Sequence, residues 1–335
     1  MRRRWLILLM ISIVATMGAL GGEARRRQDD LTEEQIQTLN SLEQINNHPL
    51  YIMHYYGDYP DPASEGAWRY SAELPAWACS LLAALGDENS RVYGRNFDWD
   101  HSPALLLYTE PSEGYASVSM VDLAYFGFQG EDAIGIADLP LEKRRALLDA
   151  PLLPFDGMNE RGLAIAMAAV EPSDMPVEAG RETMDSIGII RAVLDRAATV
   201  DEALEIFNQY NIQIEGGPPL HYLIADAAGQ AVLIEFYQGE MVVTPNEKPW
   251  LIATNFICAA VKDTSGQCWR YDTITEALEA SGGRLTAGET MDLLADVSQP
   301  GSTQWSVVYN LTTGEVQVAT GRDYEAVVTV EGYAP

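Results

Sequence analysis

A chain of 335 residues can bury one large core, and no linker long enough to separate two domains interrupts it. Asp and Glu outnumber Lys and Arg by 49 to 21, giving a formal charge of -28, a surface that repels phosphate and excludes nucleic acid as a partner. Three cysteines without metal-ligand spacing and four scattered histidines argue against a zinc site, and nothing in the residues calls for a cofactor.

The chain opens with Arg2-Arg3-Arg4, an apolar run from Trp5 to Leu20 and small residues through Gly22. A basic start, a short apolar stretch and small residues form the pattern of a secretory signal, and the run is short for a membrane span. Arg25-Arg26-Arg27 just beyond it is unusual after a cleaved signal. Residues 1–22 are therefore read either as a signal peptide or as an uncleaved anchor holding the membrane through residues 5–20. Both readings place the protein outside the cytoplasm. Next, Thr32 and Gln35 predict a capping box, and Ile36, Leu39, Leu42 and Ile45 continue at amphipathic-helix spacing. The stretch from His48 to Tyr56 is too apolar and aromatic for a linker, and a Pro, Gly and Asp-rich segment follows to Pro75.

Cys79 to Ala84 reads as a strand, Gly86 to Ser90 as a polar turn and Arg91 to Phe97 as the returning strand. Such a hairpin brings Arg95 and Asp98 back beside Cys79. Strand alternation puts positions 95 and 98 on opposite faces, so a bulge or a strand end must separate them if both serve one site. Further strands are predicted over 104–108, 115–125 and 163–170, the last apolar on both faces, with a short helix over 139–149. Helices over 184–198 and from the capping box at Thr199 through Phe207 precede a meander from His221 to Thr244, turning at Ala228-Gly229 and Gln238-Gly239. Helices over 271–280 and 286–297 lead to a hairpin over 305–319. Strands, then a helix pair, then strands is what two sheets covered by helices produce. Cys258 and Cys268 either pair across a short loop, worth about 2–3 kcal/mol, or stay as two buried thiols; Cys79 is left unpaired in both cases.

Cys79, Arg95 within Gly94-Arg95-Asn96, and Asp98 together resemble the cysteine N-terminal-nucleophile (Ntn) hydrolases of the linear amide C-N hydrolase, or choloylglycine hydrolase, family. That family includes bile salt hydrolase and penicillin V acylase and is related to acid ceramidase and N-acylethanolamine acid amidase. Three further patches carry the likeness: Gly157 to Ala164 is similar to the family's Asn-Glu-x-Gly-Leu element, Ala253-Thr254-Asn255 to its Thr-Asn element, and Arg270-Tyr271-Asp272 to its second arginine site. The resemblance implies an α+β fold, a four-layer αββα sandwich with two antiparallel sheets, over residues 79–335. It also implies self-cleavage before Cys79. Residues 23–78 would then be a propeptide or a retained small N-terminal subunit; the alternative, without cleavage, is an N-terminal helix and strand that never leave.

A thiol attacks an amide as thiolate, so it needs a base. A freed α-amino group on Cys79, with a pKa near ~8, would serve without any histidine. A papain-like dyad with His54, His101 or His221 is the alternative that spacing leaves open. The resemblance implies that Arg95 favours the thiolate, that Asp98 orients the amine, and that Arg270 holds the amino terminus or the charged intermediate. It assigns the oxyanion hole to the Asn255 side chain and the backbone N-H of Ala169, a position where relatives carry asparagine or tyrosine. The implied activity is hydrolysis of a small-molecule N-acyl amide through a Cys79 acyl-thioester. Acyl transfer at the same thioester and a catalytically silent binding protein of the same fold are the alternatives. A homo-oligomer is compatible with the sequence.

Overall fold

The computed structural model describes residues 31–64, 78–100, 103–214 and 217–335. The signal or anchor over residues 1–22 and the candidate base His101 lie outside the described residues. Among those described, no helix is long and apolar enough to cross a membrane.

The first helix, α1 (Glu33–Asn40), opens on the predicted capping box, in which Thr32 accepts the Gln35 N-H and Gln35 accepts the Thr32 N-H. It stops five residues before the apolar spacing does. The Ser41 hydroxyl bonds back to the Thr38 carbonyl, and the chain turns into β1 (Glu43–Gln44), which leaves Leu42 buried in a turn instead of on a helix face. After β2 (Leu50–Tyr55), strands β3 (Ala78–Ala84) and β4 (Val92–Asp98) form the hairpin expected around Cys79. Then come β5 (Ala104–Thr109), β6 (Ser117–Asp122), β7 (Asp156–Asn159) and β8 (Ala164–Ala169). The helix expected over 139–149 is one α-turn, Leu141–Arg144, followed by 3-10 turns over Arg145–Leu152 that accommodate Pro151.

Past β9 (Glu182–Asp185), helix α2 (Gly188–Arg196) begins four residues later than its apolar spacing suggests. The Asp185 carboxylate accepts the N-H groups of Ile187 and Gly188 and sets the start there, so Met184 belongs to the strand. Helix α3 (Val200–Gln209), β10 (Tyr210–Gln213) and the predicted meander of β11 (Leu220–Ala225), β12 (Ala231–Tyr237) and β13 (Glu240–Pro245) follow. The chain ends with β14 (Trp250–Ala253), α4 (Trp269–Ser281), α5 (Ala287–Asp296), β15 (Thr303–Asn310), β16 (Glu315–Thr320) and β17 (Val328–Glu331).

The strands assemble into two large sheets. One has the order β1-β2-β5-β6-β7-β8-β11-β12-β13 and the other β14-β3-β4-β15-β16-β17, with β9 and β10 forming a small parallel pair apart from them. Helices α2 and α3 cover the first sheet, α4 and α5 the second, and the sheets face each other through β3, β8, β11, β12 and β14. This is the αββα order. Strands such as β5 and β8 are buried at every position, as a sheet covered on both faces requires. Pairing in the large sheets is antiparallel with one exception: β2 runs parallel to β5 over six residues.

Two glycines set close approaches. A β-carbon on Gly94 would lie 2.8 Å from Cγ2 of Thr290, so its absence lets α5 pack directly on β4, where Asn96 donates to the Leu294 carbonyl. Gly162 has φ +69° and a virtual β-carbon 2.3 Å from the Leu311 carbonyl, so no other residue fits. Its neighbour Asn159 accepts the N-H groups of Arg161 and Leu163 and donates to the carbonyls of Leu194 and Ala197 at the end of α2. The Asn-Glu-Arg-Gly-Leu patch is thus a turn joining β7 to β8 and pinning a helix, with its asparagine fully engaged by backbone.

Candidate active site

Cys79 is the second residue of β3 and pairs directly with Phe97 of β4, as Leu81 does with Arg95. Side chains 79, 81, 95 and 97 therefore point between the sheets, while 80, 96 and 98 point toward the helix layer. The ladder runs without a shift from Arg95 to Asp98, so neither a bulge nor a strand end separates them; the irregularity lies on the neighbouring strand, between Thr303 and Trp305 of β15. Both faces nevertheless converge on Cys79, because a strand residue presents its side chain to one face while its N-H and C=O lie in the sheet plane.

On the inner face, Nη2 of Arg95 sits 3.8 Å from Sγ of Cys79. Both residues are buried, Cys79 with 1% exposure. The guanidinium also bonds to the Asp156 carboxylate at the start of β7 and to the Phe155 carbonyl, and lies 4.9 Å from the centre of the Phe97 ring. Burial alone would lower the Arg95 pKa, but the Asp156 charge and the Cys79 sulfur reverse this and raise it, so the group stays cationic. Asp156 is fixed in turn by the Tyr309 hydroxyl at 2.5 Å. The arrangement is a permanent positive charge held against a sulfur, its counter-charge supplied from the opposite sheet.

On the helix-side face, Arg270 grips the backbone. It lies in the first turn of α4, where a cation opposes the helix dipole, so its placement is not explained by helix stability. Its Nη1 donates to the Cys79 carbonyl and to Oγ of Ser80, and its Nη2 donates to Oδ1 of Asn255 at 2.8 Å. Oδ1 of Asn255 also accepts the Cys79 N-H at 2.7 Å, and Nδ2 donates to the Ala169 carbonyl at 2.8 Å. Two donors on one atom and an acceptor on the other fix the orientation of the amide. Ala169, expected to contribute its N-H, meets Asn255 through its carbonyl.

Asp98 sits opposite Ala78 in the ladder and faces the same side as Arg270, whose Nη1 is 3.9 Å away. It accepts from Thr303 Oγ1 at 2.5 Å and Gln299 Nε2 at 2.7 Å. Burial pushes its pKa above the ordinary 3.8, against those two bonds and the charges of Arg270 and Arg95. Because folding raises this pKa, the stability contributed by protonated Asp98 is complete below 3.8 and is lost as the pH climbs through the folded value. Asp98→Asn does not titrate. Its melting temperature relative to the wild type should rise with pH above 3.8 and then level off in calorimetry. A flat difference across that range would contradict the assignment.

The histidines available to a dyad are engaged elsewhere: His54 stacks on Tyr108 with ring centres 4.5 Å apart, and both ring nitrogens of His221 face oxygens of Glu235 and Thr254. Of the two alternatives for Cys258 and Cys268, the structure has the free thiols, each half-buried. Cys258 lies in a 3-10 turn held by Glu235, where burial and that carboxylate push its pKa up to about 12, and Cys268 caps α4. No group of three or more His, Cys, Asp or Glu among the described residues could hold a metal. Sequence reasoning missed Asp156, Ser80, Thr303, Gln299 and Tyr309; of these only Asp156 carried a signal, as a carboxylate inside an otherwise apolar run just before Gly157.

The fold has solved relatives. The penicillin V acylase from Agrobacterium tumefaciens aligns over 76% of this chain and 86% of its own, with a TM-score of 0.52 and 16% identity. A mutant of the conjugated bile acid hydrolase from Clostridium perfringens aligns over 76% and 92%, with a TM-score of 0.54 and 16% identity. The family description "linear amide C-N hydrolases, choloylglycine hydrolase family" matches residues 79–255, more than half of the 335, beginning at the gripped cysteine and ending at the asparagine that grips it. The chain belongs to the linear amide C-N hydrolases of the choloylglycine hydrolase family and is a hydrolase acting on linear amides.

Proposed function

We propose that this hydrolase is exported, cuts its own Ala78–Cys79 bond, and then uses the freed amine of Cys79 as the base for its thiol. One observation supports this above the rest: Cys79 is held at three points, sulfur by Arg95, N-H by Asn255 and C=O by Arg270. In self-cleavage Sγ attacks the Ala78 carbonyl carbon, the C-N bond breaks as the nitrogen takes the thiol proton, and water opens the resulting thioester to a carboxylate and a thiol. The new amine stays against Oδ1 of Asn255, with Asp98 one ladder step away, opposite Ala78.

In turnover that amine accepts the thiol proton as sulfur attacks the substrate amide, and passes it to the leaving nitrogen. Water then attacks the acyl-thioester with the amine again as base. Nδ2 of Asn255 spends one hydrogen on Ala169, and the second is free in chemistry to meet the developing oxyanion. The charge of Arg95 favours the sulfur anion. The substrates we infer are small N-acyl amides, and the basic and apolar segments of residues 2–20 support export.

The N-terminal piece stays. Leu39, Leu50, Tyr51 and Met53 are fully buried in the shared core, β2 is a strand of the first sheet, and Arg144 donates to the Leu39 carbonyl. Intact-mass analysis should find two chains divided between Ala78 and Cys79 that co-elute in native size exclusion. Turnover should appear within a panel of N-acyl amino acids, acyl ethanolamines, conjugated bile acids and penicillin V. An uncut chain with full activity would overturn the amine as base. Products in which an added amine carries the acyl group would make the enzyme a transferase.

A further inference from the structure

Nothing in the chemistry above uses His221 and Glu235, although both are completely buried. They lie on β11 and β12 of the first sheet, one step beyond the paired Tyr222 and Ile234, and their side chains meet. Nδ1 of His221 lies 3.2 Å from Oε1 of Glu235, and Nε2 lies 2.7 Å from the carbonyl of Thr254. A carbonyl can only accept, so Nε2 carries a proton, and Nδ1 faces the carboxylate. Glu235 is further engaged by backbone. Oε1 accepts the N-H of Cys258 at 2.7 Å, and Oε2 accepts the N-H of Ala259 at 2.8 Å.

Three of these bonds land on one arch, residues 254–259, which leaves β14 in the second sheet and carries Asn255. One foot, the Thr254 carbonyl, is tied to His221; the other, the paired N-H groups at the start of the 3-10 turn, is tied to Glu235. Between the feet Asn255 reaches the Cys79 N-H and Arg270. A buried carboxylate bonded to two amides and an imidazole is expensive to assemble, and replacing it with apolar residues would often be no less stable. Its placement is accounted for by what it holds.

We propose that His221 and Glu235 are positioning residues: a buried hydrogen-bonded clasp on one sheet that fixes the arch of the other, and so sets where the Asn255 amide meets the nitrogen and developing charge at Cys79. The catalytic consequence rests on the function proposed above; the clasp itself does not. Arg95, Asp156 and the sulfur lie outside it, so their geometry is independent of these two residues.

The test uses the full chain with Glu235→Gln, His221→Leu and His221→Gln. Glu235→Gln offers Ala259 either an N-H where it needs an acceptor or one oxygen for two donors. Hydrogen exchange at the Cys258 and Ala259 amides should accelerate about 10-fold to 100-fold in Glu235→Gln, with β11, β12 and the rest of the first sheet unchanged. Self-cleavage should slow and kcat should fall about 10-fold to 100-fold at nearly constant KM, as expected for a misplaced group. His221→Leu should behave alike, whereas His221→Gln, which can still donate to Thr254, should recover most of the loss. Unchanged exchange at the two amides, loss of protection spread over the whole sheet, or faster exchange with kcat intact would each overturn the proposal. If the wild type neither cleaves nor turns over any amide, the functional reading fails, and exchange at the arch still decides whether the clasp exists.

Discussion

Cys79→Ala should accumulate as one uncut chain and lose turnover by about a million-fold, the scale seen when a covalent nucleophile is removed. The same sulfur is the proposed nucleophile for both reactions, so one substitution should abolish both. Exchanging a buried thiol for a methyl removes a single heavy atom from a packed site, and the melting temperature should move by no more than a few degrees. Arg270, Asn255 and Arg95 contact the backbone of this residue or the space around its sulfur, and all can remain where they are. Intact mass, turnover and calorimetry on the same preparation check the three parts together. A cut Cys79→Ala chain would mean that some other group opens the Ala78–Cys79 bond, and the reading of this cysteine would fail.

Arg95→Leu should fail differently, by unfolding. Asp156 is fully buried, and the guanidinium is its counter-charge. Removing one partner of such a pair costs about 3–5 kcal/mol because the other is left uncompensated in a medium that solvates it poorly. Asp156→Asn added to Arg95→Leu removes the stranded charge while keeping an acceptor for the Tyr309 hydroxyl, and most of that stability should return. Activity should not return, because the positive charge beside the sulfur is still missing. Urea unfolding of the two single variants and the double variant, with self-cleavage followed by mass, separates the two roles of Arg95. A double variant that cleaves at the wild-type rate would show that Arg95 is a structural ion-pair partner alone.

Much of this site was legible in the sequence because its parts lie on local devices. A hairpin with a polar turn puts Arg95 and Asp98 near Cys79 by chain geometry, whereas Asn255 and Arg270 were singled out only by the family resemblance, since alone they read as a turn residue and a solvated residue at a helix start. The meeting of His221 with Glu235 was within reach too, since both are seven residues from Ala228 in the turn between β11 and β12. Asp156 was not within reach. It meets Arg95 across the sandwich, from a strand of the other sheet 61 positions away, and no periodicity encodes how two sheets are stacked. Thr303 was hidden for another reason: it lies on the neighbouring strand of the same sheet, and meets Asp98 because a ladder irregularity on β15 places it there. Helix ends were misjudged where a polar side chain overruled apolar spacing, as Ser41 and Asp185 do.

Strand β2 gives the proposed maturation a thermodynamic direction. While the Ala78–Cys79 bond is intact, the strand is tethered to the sheet it completes, and unfolding is a unimolecular event that dilution cannot influence. After the cut, one sheet is shared between two molecules, and an unfolded pair must find each other in solution before the fold can be rebuilt. The matured enzyme would then be held together by concentration as well as by contacts, and each heating in dilute solution would tend toward a loss that cooling does not reverse.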